Sequence, residues 1–414
     1  MQKRHPAWLI LIACCALQAG SVGILSNSAG ILFPAVLGEL GFSQGKFMLY
    51  MTIQGLCMVA ALPLAGKFIP RVNIRVLVSV GILASAGAFA SMGSFHSVWQ
   101  WYIAGGVLGF SSGFVSMLPA PIMIGNWFKK KTGLAMGIAM ICSGISGAFM
   151  NPLGGFFISQ FGWRVTYVLM GAIALALVLP FSLFVIRFKP ADAGVAAYGA
   201  EEDAAISGSL DQRLAGVSAK TVVRSVSFAC IFLMAGLLSF GCTFLQLLPT
   251  FAGTVGLAPI AAFLSSAVML GNIAGKLALG WLNDRLGTRN ATLVGLAVVI
   301  AAFVLFLLAG LGAAVALTGA FLYGVVMSIV SVSVPLVVRK AFGSRDYSQI
   351  FSYITMGTSL IGSLGVTIIA FMYDAYGSYF PSFVMAIGAC ILAGVLLVAG
   401  LASAGRLTAE AEIL

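Results

Sequence analysis

The chain has 414 residues, of which 61% are hydrophobic and 8% are charged. A soluble globular protein carries about a quarter charged residues, so this composition excludes an ordinary water-facing surface. The formal net charge of +11 would suggest a nucleic-acid partner in a soluble protein. No basic patch with interleaved aromatic residues is present, so we expect no nucleic-acid partner and interpret the basic residues as signals of membrane topology.

Long apolar runs follow one another along the whole chain. A spanning helix needs about 20 apolar residues, and lipid requires every backbone polar group to be satisfied internally. The runs are longer than the strands of a membrane barrel. They predict an all-α integral membrane protein with twelve transmembrane helices, at residues 8–36, 46–69, 74–94, 98–127, 132–159, 163–188, 223–252, 258–283, 290–311, 313–338, 346–373 and 378–404.

The first run also has features of a secretory leader. Lys3 and Arg4 precede it, and the segment ending at Cys14 resembles a lipoprotein cleavage site. However, the apolar stretch continues to about Leu37, which is the length of a spanning helix. We therefore interpret it as the first transmembrane helix.

The longest polar interval, 189–222, divides the chain into two predicted six-helix bundles, 1–188 and 223–414. Nineteen of the 22 Lys and Arg residues lie at the N-terminus, in this interval, in other loops after even-numbered helices, or near the C-terminus. Positively charged loops stay in the cytoplasm. We therefore expect a multi-pass protein of the cell inner (plasma) membrane, with both termini and the interval 189–222 in the cytoplasm.

The two halves of the chain repeat each other at a nearly constant offset. Matching residues are 214 or 215 positions apart: Pro34 and Pro249, Gly38 and Gly253, Gly41 and Gly256, Gly66 and Gly280, Arg71 and Arg285, Arg75 and Arg289, Gly147 and Gly362, Gly162 and Gly377. Parallel six-helix repeats with a site near the bilayer midplane are typical of secondary transporters that work by alternating access.

One cation, Lys276, lies within a predicted span and well away from both of its ends. It is eight residues before Asp284, or about 12 Å along a helix, which is farther than a lysine stem reaches. A cation in the bilayer interior costs about 2.5 kcal/mol or more, and the acidic residues of the chain lie at the ends of the predicted spans or outside them. We therefore predict that Lys276 binds a substrate anion. A single cation matches a single carboxylate, although a dianion neutralised partly by amides stays open.

Other polar residues could line the substrate path. Asn272 lies one helical turn from Lys276 and is expected to share its site. For the remaining candidates, an interhelical hydrogen bond is the alternative to substrate binding: Asn27, Gln54, Asn151, Gln246, Tyr323, Tyr353 and Thr355. The glycines 105, 109 and 113, spaced by four residues, predict two closely packed helices.

The segment from Gly280 to Arg289 reads Gly-Trp-Leu-Asn-Asp-Arg-Leu-Gly-Thr-Arg and resembles the loop motif of the major facilitator superfamily. The resemblance implies a gating role, in which the acidic residue pairs with neighbouring helix ends, for Gly280, Asp284, Arg285, Gly287 and Arg289. A solvated turn is the alternative. The N-terminal copy has Pro70 at the acidic position and Asn73 at the glycine position.

Two further segments, Asn126-Trp-Phe-Lys-Lys-Lys131 and Phe161-Gly-Trp-Arg164, resemble the oxalate/formate antiporter and monocarboxylate transporter families. In those families an arginine of helix 8 binds the substrate carboxylate, and Lys276 falls at that place. The second cation of oxalate exchangers is Thr355 here, which favours a monocarboxylate. The stretch Gly147–Gly155 is similar to the glycine-proline motif of antiporters, with a kinked, closely packed helix as the alternative.

The chain lacks readable enzyme signatures: no nucleophile–base pair, no Cys/His metal spacing and no phosphate-binding loop is present. We therefore expect no enzyme, no cofactor and no metal. The expected partners are the lipid bilayer, a small organic anion, and a proton or counter-anion, because exchange, uniport and proton-coupled symport all stay open. The alternative functions are a drug or cation exporter of the same superfamily, which would need a buried acid, and a non-transporting membrane anion sensor.

Overall fold

A computed structural model describes residues 5–69, 71–199, 218–343 and 346–413 of the protein. Over these residues the chain is helical, apart from loops and one isolated bridge between Phe128 and Tyr198. Ten helical runs are long and apolar enough to cross a membrane. Two of them bend sharply at a glycine with non-helical backbone angles, Gly162 and Gly287, so the described chain contains the twelve predicted membrane helices.

The first six helices lie close to the predicted positions. Helix α1 spans Ala7–Leu40, α2 Gln44–Phe68, α3 Ile74–Ser91 and α4 Val98–Trp127. The run Thr132–Val185 divides at Gly162 into α5 (132–161) and α6 (163–185).

The second six helices repeat this plan. Helix α7 spans Val226–Thr254, and the run Ala261–Leu307 divides at Gly287 into α8 (261–286) and α9 (288–307). Helix α10 spans Ala313–Phe342, α11 Tyr347–Tyr376 and α12 Phe380–Ile413.

The chain forms two compact units. The first consists of residues 1–42 and 49–211, and the second of residues 43–48 and 212–414. The acidic cluster of the predicted inter-domain loop, Glu201 to Asp203, lies outside the described residues, as do Asp211 and Arg213.

The internal repeat is visible in the backbone. Gly41 and Gly256, 215 residues apart, both have positive φ at a helix end, and so do Gly162 and Gly377. A residue with a Cβ is strained in that conformation, so the glycines recur where the two halves turn in the same way. The π-helical segments Gly113–Met117 in α4 and Ile329–Ser333 in α10 also correspond.

Small residues allow close helix packing inside the first unit. A Cβ on Gly105 would lie 2.6 Å from the carbonyl oxygen of Tyr50, and one on Gly109 would overlap the carbonyl oxygen of Gln54. Gly113 packs in the same way on Ala61. The glycine series of α4 therefore lies directly against the backbone of α2, as the spacing of these glycines predicted.

Each unit has an aromatic core. In the first unit it includes Trp101, whose ring centroid lies 6.3 Å from that of Trp163. In the second unit Phe244 lies 5.2 Å from Phe303 and stacks on Phe383 at 5.4 Å. These rings lie where α7, α9 and α12 pack together, and they surround the part of α7 described next.

Candidate substrate site

Lys276 lies on α8 beside a close contact with α10. A Cβ on the preceding residue, Gly275, would lie 2.7 Å from Ser328 Oγ, and one on Gly271 would overlap the carbonyl oxygen of Phe321. The Lys276 side chain is half-buried. Among the described residues its ammonium has no hydrogen-bond or ion-pair partner. A cation of the membrane-spanning region is thus held on a rigid helix pair without a protein counter-ion from the described chain.

Asn272, one turn before Lys276, is buried and faces α10. Ser328 Oγ lies 2.8 Å from the Asn272 backbone oxygen and 3.2 Å from its Oδ1, and donates to these two acceptors. The side-chain oxygen of Asn272 therefore takes part in holding α8 against α10. Its role in substrate binding stays a prediction. Ser328 is a residue that the sequence analysis missed, and its only signal is a hydroxyl within an apolar helix.

Helix α7 is broken near its middle by a side chain from α10. The regular helical segments end at Cys242 and resume at Phe244. Tyr323 is fully buried, and its hydroxyl donates to the Gly241 carbonyl oxygen at 2.7 Å and accepts from the Leu245 amide at 3.1 Å. In a regular helix that amide would bond to that carbonyl. The Tyr323 hydroxyl thus replaces one helical hydrogen bond and fixes the break.

The predicted path residue Gln246 lies one residue beyond this break and is half-buried. Its backbone amide donates to the Thr243 carbonyl at 3.2 Å, a shorter-range bond than that of a regular α-helix. Tyr323 thus has a structural role that the sequence did not reveal, while its contact with substrate stays a prediction. Because the break sets the direction of the following turn, it also sets the position of Gln246.

Helix α1 is irregular at the position that corresponds, in the internal repeat, to the break in α7. It changes from π-helical over Gln18–Asn27 to 3-10 over Ala29–Leu32, and the junction at Ser28 lies 215 residues before Thr243. Asn27 is half-buried at this junction, and its Nδ2 lies 3.5 Å from the Ser143 carbonyl oxygen of α5. Irregular backbone in the middle of paired membrane helices marks the binding region of many transporters.

The other candidates of the first unit differ in burial. Asn151 on α5 is fully buried, and neither atom of its side-chain amide has a hydrogen-bond partner within the described chain. A buried amide without partners is costly, so this position fits a ligand or a hydrated cavity. Gln54 on α2 is half-buried. Its backbone carbonyl packs against Gly109, and this contact with α4 fixes the position of Gln54 along the helix pair.

Two candidates lie on α11. Tyr353 is 38% exposed, and its hydroxyl accepts a hydrogen bond from Gln349 Nε2 at 3.0 Å. Thr355 is half-buried, and its hydroxyl donates to the Phe351 carbonyl oxygen at 2.9 Å within the same helix. Tyr353 is therefore partly exposed, whereas the Thr355 hydroxyl proton is used by its own helix.

Comparisons with known proteins identify the family of this fold. The sequence model of the Major Facilitator Superfamily matches residues 11–366. This chain belongs to the major facilitator superfamily. It is therefore a membrane transporter for a small molecule and not an enzyme, as the sequence analysis predicted.

The relatives of this facilitator include monocarboxylate transporters at low identity. The chain is 27% identical over 393 residues to monocarboxylate transporter 13 of Bos taurus, and 24% identical over 398 residues to that of Rattus norvegicus. Each match covers 94% of this chain and 87% of the relative. The predicted resemblance to the monocarboxylate transporter branch of the superfamily is thus confirmed.

Solved structures show the same fold. A bacterial homolog of the human lysosomal transporter Spinster, in an inward-facing and unoccupied conformation, has a TM-score of 0.69 at 14% identity, covering 98% of both chains. The nucleoside transporter NupG has a TM-score of 0.72 at 14% identity, covering 96% of this chain and 99% of NupG.

The facilitator loop motif lies at the bend between α8 and α9. Gly287 supplies the positive φ of 74° that the bend requires, and Arg285 stacks over the Trp281 ring at 4.4 Å. Asp284 is exposed and has no hydrogen-bond or ion-pair partner in the part of the chain that the structure describes. Gly280 is half-buried and Arg289 is exposed. The gating role of this motif stays a prediction.

The other two motifs of the resemblance connect helices within the first unit. Asn126 Nδ2 donates to the Phe188 carbonyl at 3.0 Å, and Trp127 Nε1 donates to the Arg187 carbonyl at 2.9 Å. At the opposite helix ends, Trp163 Nε1 donates to Glu39 Oε2 at 2.5 Å, and Arg164 forms an ion pair with Glu39 at 3.0 Å. These motifs therefore hold the end of α4 to the segment after α6, and the end of α1 to the start of α6.

Proposed function

We propose that this facilitator transports a small organic anion, namely a monocarboxylate, and that Lys276 binds the carboxylate. The observation that carries the proposal is the half-buried ammonium of Lys276, which has no partner among the described residues. Its membrane-spanning helix is fixed against α10 by Gly271 and Gly275, so the charge is held at a defined place.

Electrostatics favours an anionic substrate over a cationic one. An isolated cation in the bilayer interior costs about 2.5 kcal/mol or more, and a bound carboxylate would offset this cost. The acidic residues with described side chains lie at helix ends or in a loop: Glu39, Asp192, Asp284, Asp346 and Asp374. None of these could balance Lys276 from the middle of a helix, so a cationic drug would add a second unpaired charge.

The names of the relatives support an anionic substrate of the monocarboxylate class. Two relatives that align with 94% of this chain are monocarboxylate transporters. Among the other site candidates, we propose that Asn27 and Gln246 contact the substrate, because each lies beside irregular backbone in a repeat-related helix. For Asn272, Gln54, Asn151, Tyr323, Tyr353 and Thr355 a contribution to the same path is part of this proposal.

We propose alternating access between two bundles, 1–188 and 223–414, joined by the segment 189–222. The excess of Lys and Arg in loops after even-numbered helices supports a plasma-membrane protein with cytoplasmic termini. Exchange, uniport and proton-coupled symport are all compatible with a single buried lysine. Proton symport predicts that a pH gradient stimulates uptake, whereas exchange predicts stimulation by carboxylate inside the vesicle.

The proposal is tested by counterflow in proteoliposomes with labelled monocarboxylates, a dicarboxylate and an organic cation. The wild type is compared with Lys276→Ala, Lys276→Arg and Lys220→Ala, the last removing an exposed cation from the loop region. Losing an interaction of about 2.5 kcal/mol weakens binding about 70-fold. We therefore expect Lys276→Ala to lower monocarboxylate counterflow by about 70-fold at substrate concentrations below saturation. Lys276→Arg should retain part of the wild-type rate, and Lys220→Ala should match the wild type.

The opposite result is equally clear. If Lys276→Ala and the wild type carry monocarboxylates equally, Lys276 does not bind the substrate. If both carry the organic cation and neither carries a carboxylate, the protein transports cations and the proposal is wrong.

A further inference from the structure

A charged cavity lies in the first unit, at the helix ends where α2 meets α3 and where α6 ends. Its volume is about 620 Å³, within the range of about 300–1,000 Å³ that is typical of ligand pockets. It is lined by Ile69, Arg71, Val72, Asn73, Ile74, Arg75, Ile186, Arg187, Phe188, Lys189 and Asp192. Four of these side chains are cations and one is an acid.

The single acid is engaged in a local turn. Asp192 Oδ2 accepts the backbone amide of Lys189 at 2.9 Å, and Arg187 donates to the Asp192 backbone oxygen at 2.7 Å. Arg75 is half-buried, and its Nε donates to the Ile186 carbonyl oxygen at 2.8 Å. Its other guanidinium N–H groups make no hydrogen bond to described residues. The cavity therefore presents an excess of fixed positive charge and free donors.

This arrangement exceeds what membrane topology requires. The positive-inside rule asks only for basic residues in a loop, and the exposed lysines 129 to 131 satisfy it without lining this cavity. In the second half, the equivalent of Arg71 is Arg285, which stacks on Trp281. The equivalent of Arg75 is Arg289, which lines a smaller cavity of about 310 Å³. Arg285 is not among the residues that line this smaller cavity, so the two equivalents do not share one cavity as Arg71 and Arg75 do.

Apolar surface adjoins the cavity along the chain. On α3, Val76 follows Arg75 directly and is 55% exposed, and Val80, one turn further, is 59% exposed. On α6, Phe184 lies two residues before Ile186 and is 78% exposed. Exposed apolar side chains on membrane helices face lipid tails. Along both α3 and α6, the residues that line the cavity are thus followed or preceded within a few positions by exposed apolar side chains.

We propose that this cavity binds the phosphate headgroup of an anionic phospholipid. Arg75, Arg71 and Lys189 contact the phosphate, and the acyl chains lie along Val76, Val80 and Phe184. Guanidinium groups bind phosphate oxygens in a bidentate fashion, and basic pockets between membrane helices recognise anionic headgroups. The cavity residues belong to the first unit and Lys276 to the second, so this proposal does not rest on the proposed substrate.

The test measures lipid retention by the full-length protein. Protein purified from vesicles of equal phosphatidylglycerol and phosphatidylcholine is analysed by mass spectrometry for the lipid that it keeps. The variant Arg71→Gln/Lys189→Gln removes two exposed cations of the cavity, and Lys129→Gln/Lys131→Gln removes two exposed cations outside it. Each cation near an anionic lipid surface contributes about a five-fold preference. The variant Arg75→Lys keeps the positive charge and removes the paired guanidinium N–H donors that bind phosphate in a bidentate fashion.

We expect the wild type and the 129/131 variant to retain more phosphatidylglycerol than phosphatidylcholine. In the 71/189 variant the ratio of the two retained lipids should fall at least about five-fold. Arg75→Lys should fall between them. Equal retention by all variants, or equal loss in both double variants, would overturn the proposal. So would full displacement of the lipid by inorganic phosphate or soluble glycerophosphoglycerol, because the cavity would then bind a soluble anion.

Discussion

Replacing Tyr323 with phenylalanine removes one oxygen atom from the break in α7. In the native protein this oxygen accepts the Leu245 amide at 3.1 Å and donates to the Gly241 carbonyl at 2.7 Å. The phenylalanine ring would still fill the space, because it packs against Phe303 and Phe306 with ring centroids 5.7 and 5.9 Å away. The amide and the carbonyl therefore stay apart and both lose their partner.

The cost follows from these two orphaned groups. A buried polar group left unsatisfied costs about 1–3 kcal/mol, so the pair costs at least about 2 kcal/mol. Interhelical side-chain hydrogen bonds in membranes average only about 0.6 kcal/mol, because the alternative state finds other partners. The Leu245 amide and the Gly241 carbonyl are backbone groups held apart by the break, so they cannot find other partners. The cost of about 2 kcal/mol for unsatisfied groups therefore applies. For a unit of about 200 residues, 2 kcal/mol corresponds to about 4–8 °C in Tm.

The assay is thermal unfolding of the purified protein in detergent, followed by tryptophan fluorescence. Tyr376→Phe is the matched control, because Tyr376 is 68% exposed and loses a hydroxyl without changing a buried bond. A Tyr323→Phe variant that melts within about 1 °C of this control would refute the reasoning. It would show that Leu245 can restore its bond to Gly241 and that α7 breaks for another reason.

Two further predictions concern helix packing and helix ends. Gly109→Ala should destabilise the protein strongly, since its Cβ would overlap the Gln54 carbonyl, whereas the Cβ of Gly106→Ala makes only ordinary contacts, with Cys57 Sγ at 3.7 Å and Ile53 Cγ2 at 3.9 Å. The difference in Tm between the two variants measures the effect, and equal values would contradict it. Asp374 accepts the first backbone amides of α2, Gln44 at 3.0 Å and Gly45 at 2.7 Å. Asp374→Ala should lower the free energy of unfolding by about 0.5–2 kcal/mol, and Asp374→Asn should lower it less. Urea unfolding measures both values, and an Asn variant as unstable as the Ala variant would count against the capping role.

The sequence by itself determined the membrane helices and the internal repeat. Apolar runs of spanning length predicted the helix bounds to within about four residues, except at the end of α12, because hydropathy and length are local properties. The matching glycines predicted matching turns, and Gly41, Gly162, Gly256 and Gly377 do adopt positive φ. A glycine at such a position is a backbone requirement that can be read without knowing its neighbours.

Tertiary structure decided how polar side chains are used. The sequence could place Asn272 and Lys276 on one helical face, but only the packing of α8 on α10 revealed the bonds from Ser328 to Asn272. Likewise, no local signal in α7 predicts its break, because the hydroxyl that fixes it comes from Tyr323, about 80 residues later. The cavity of Arg71, Arg75, Arg187 and Lys189 also joins two loops far apart in sequence. Hydrogen bonds and charge clusters between distant segments depend on the folded geometry, whereas spans and turns depend on neighbouring residues.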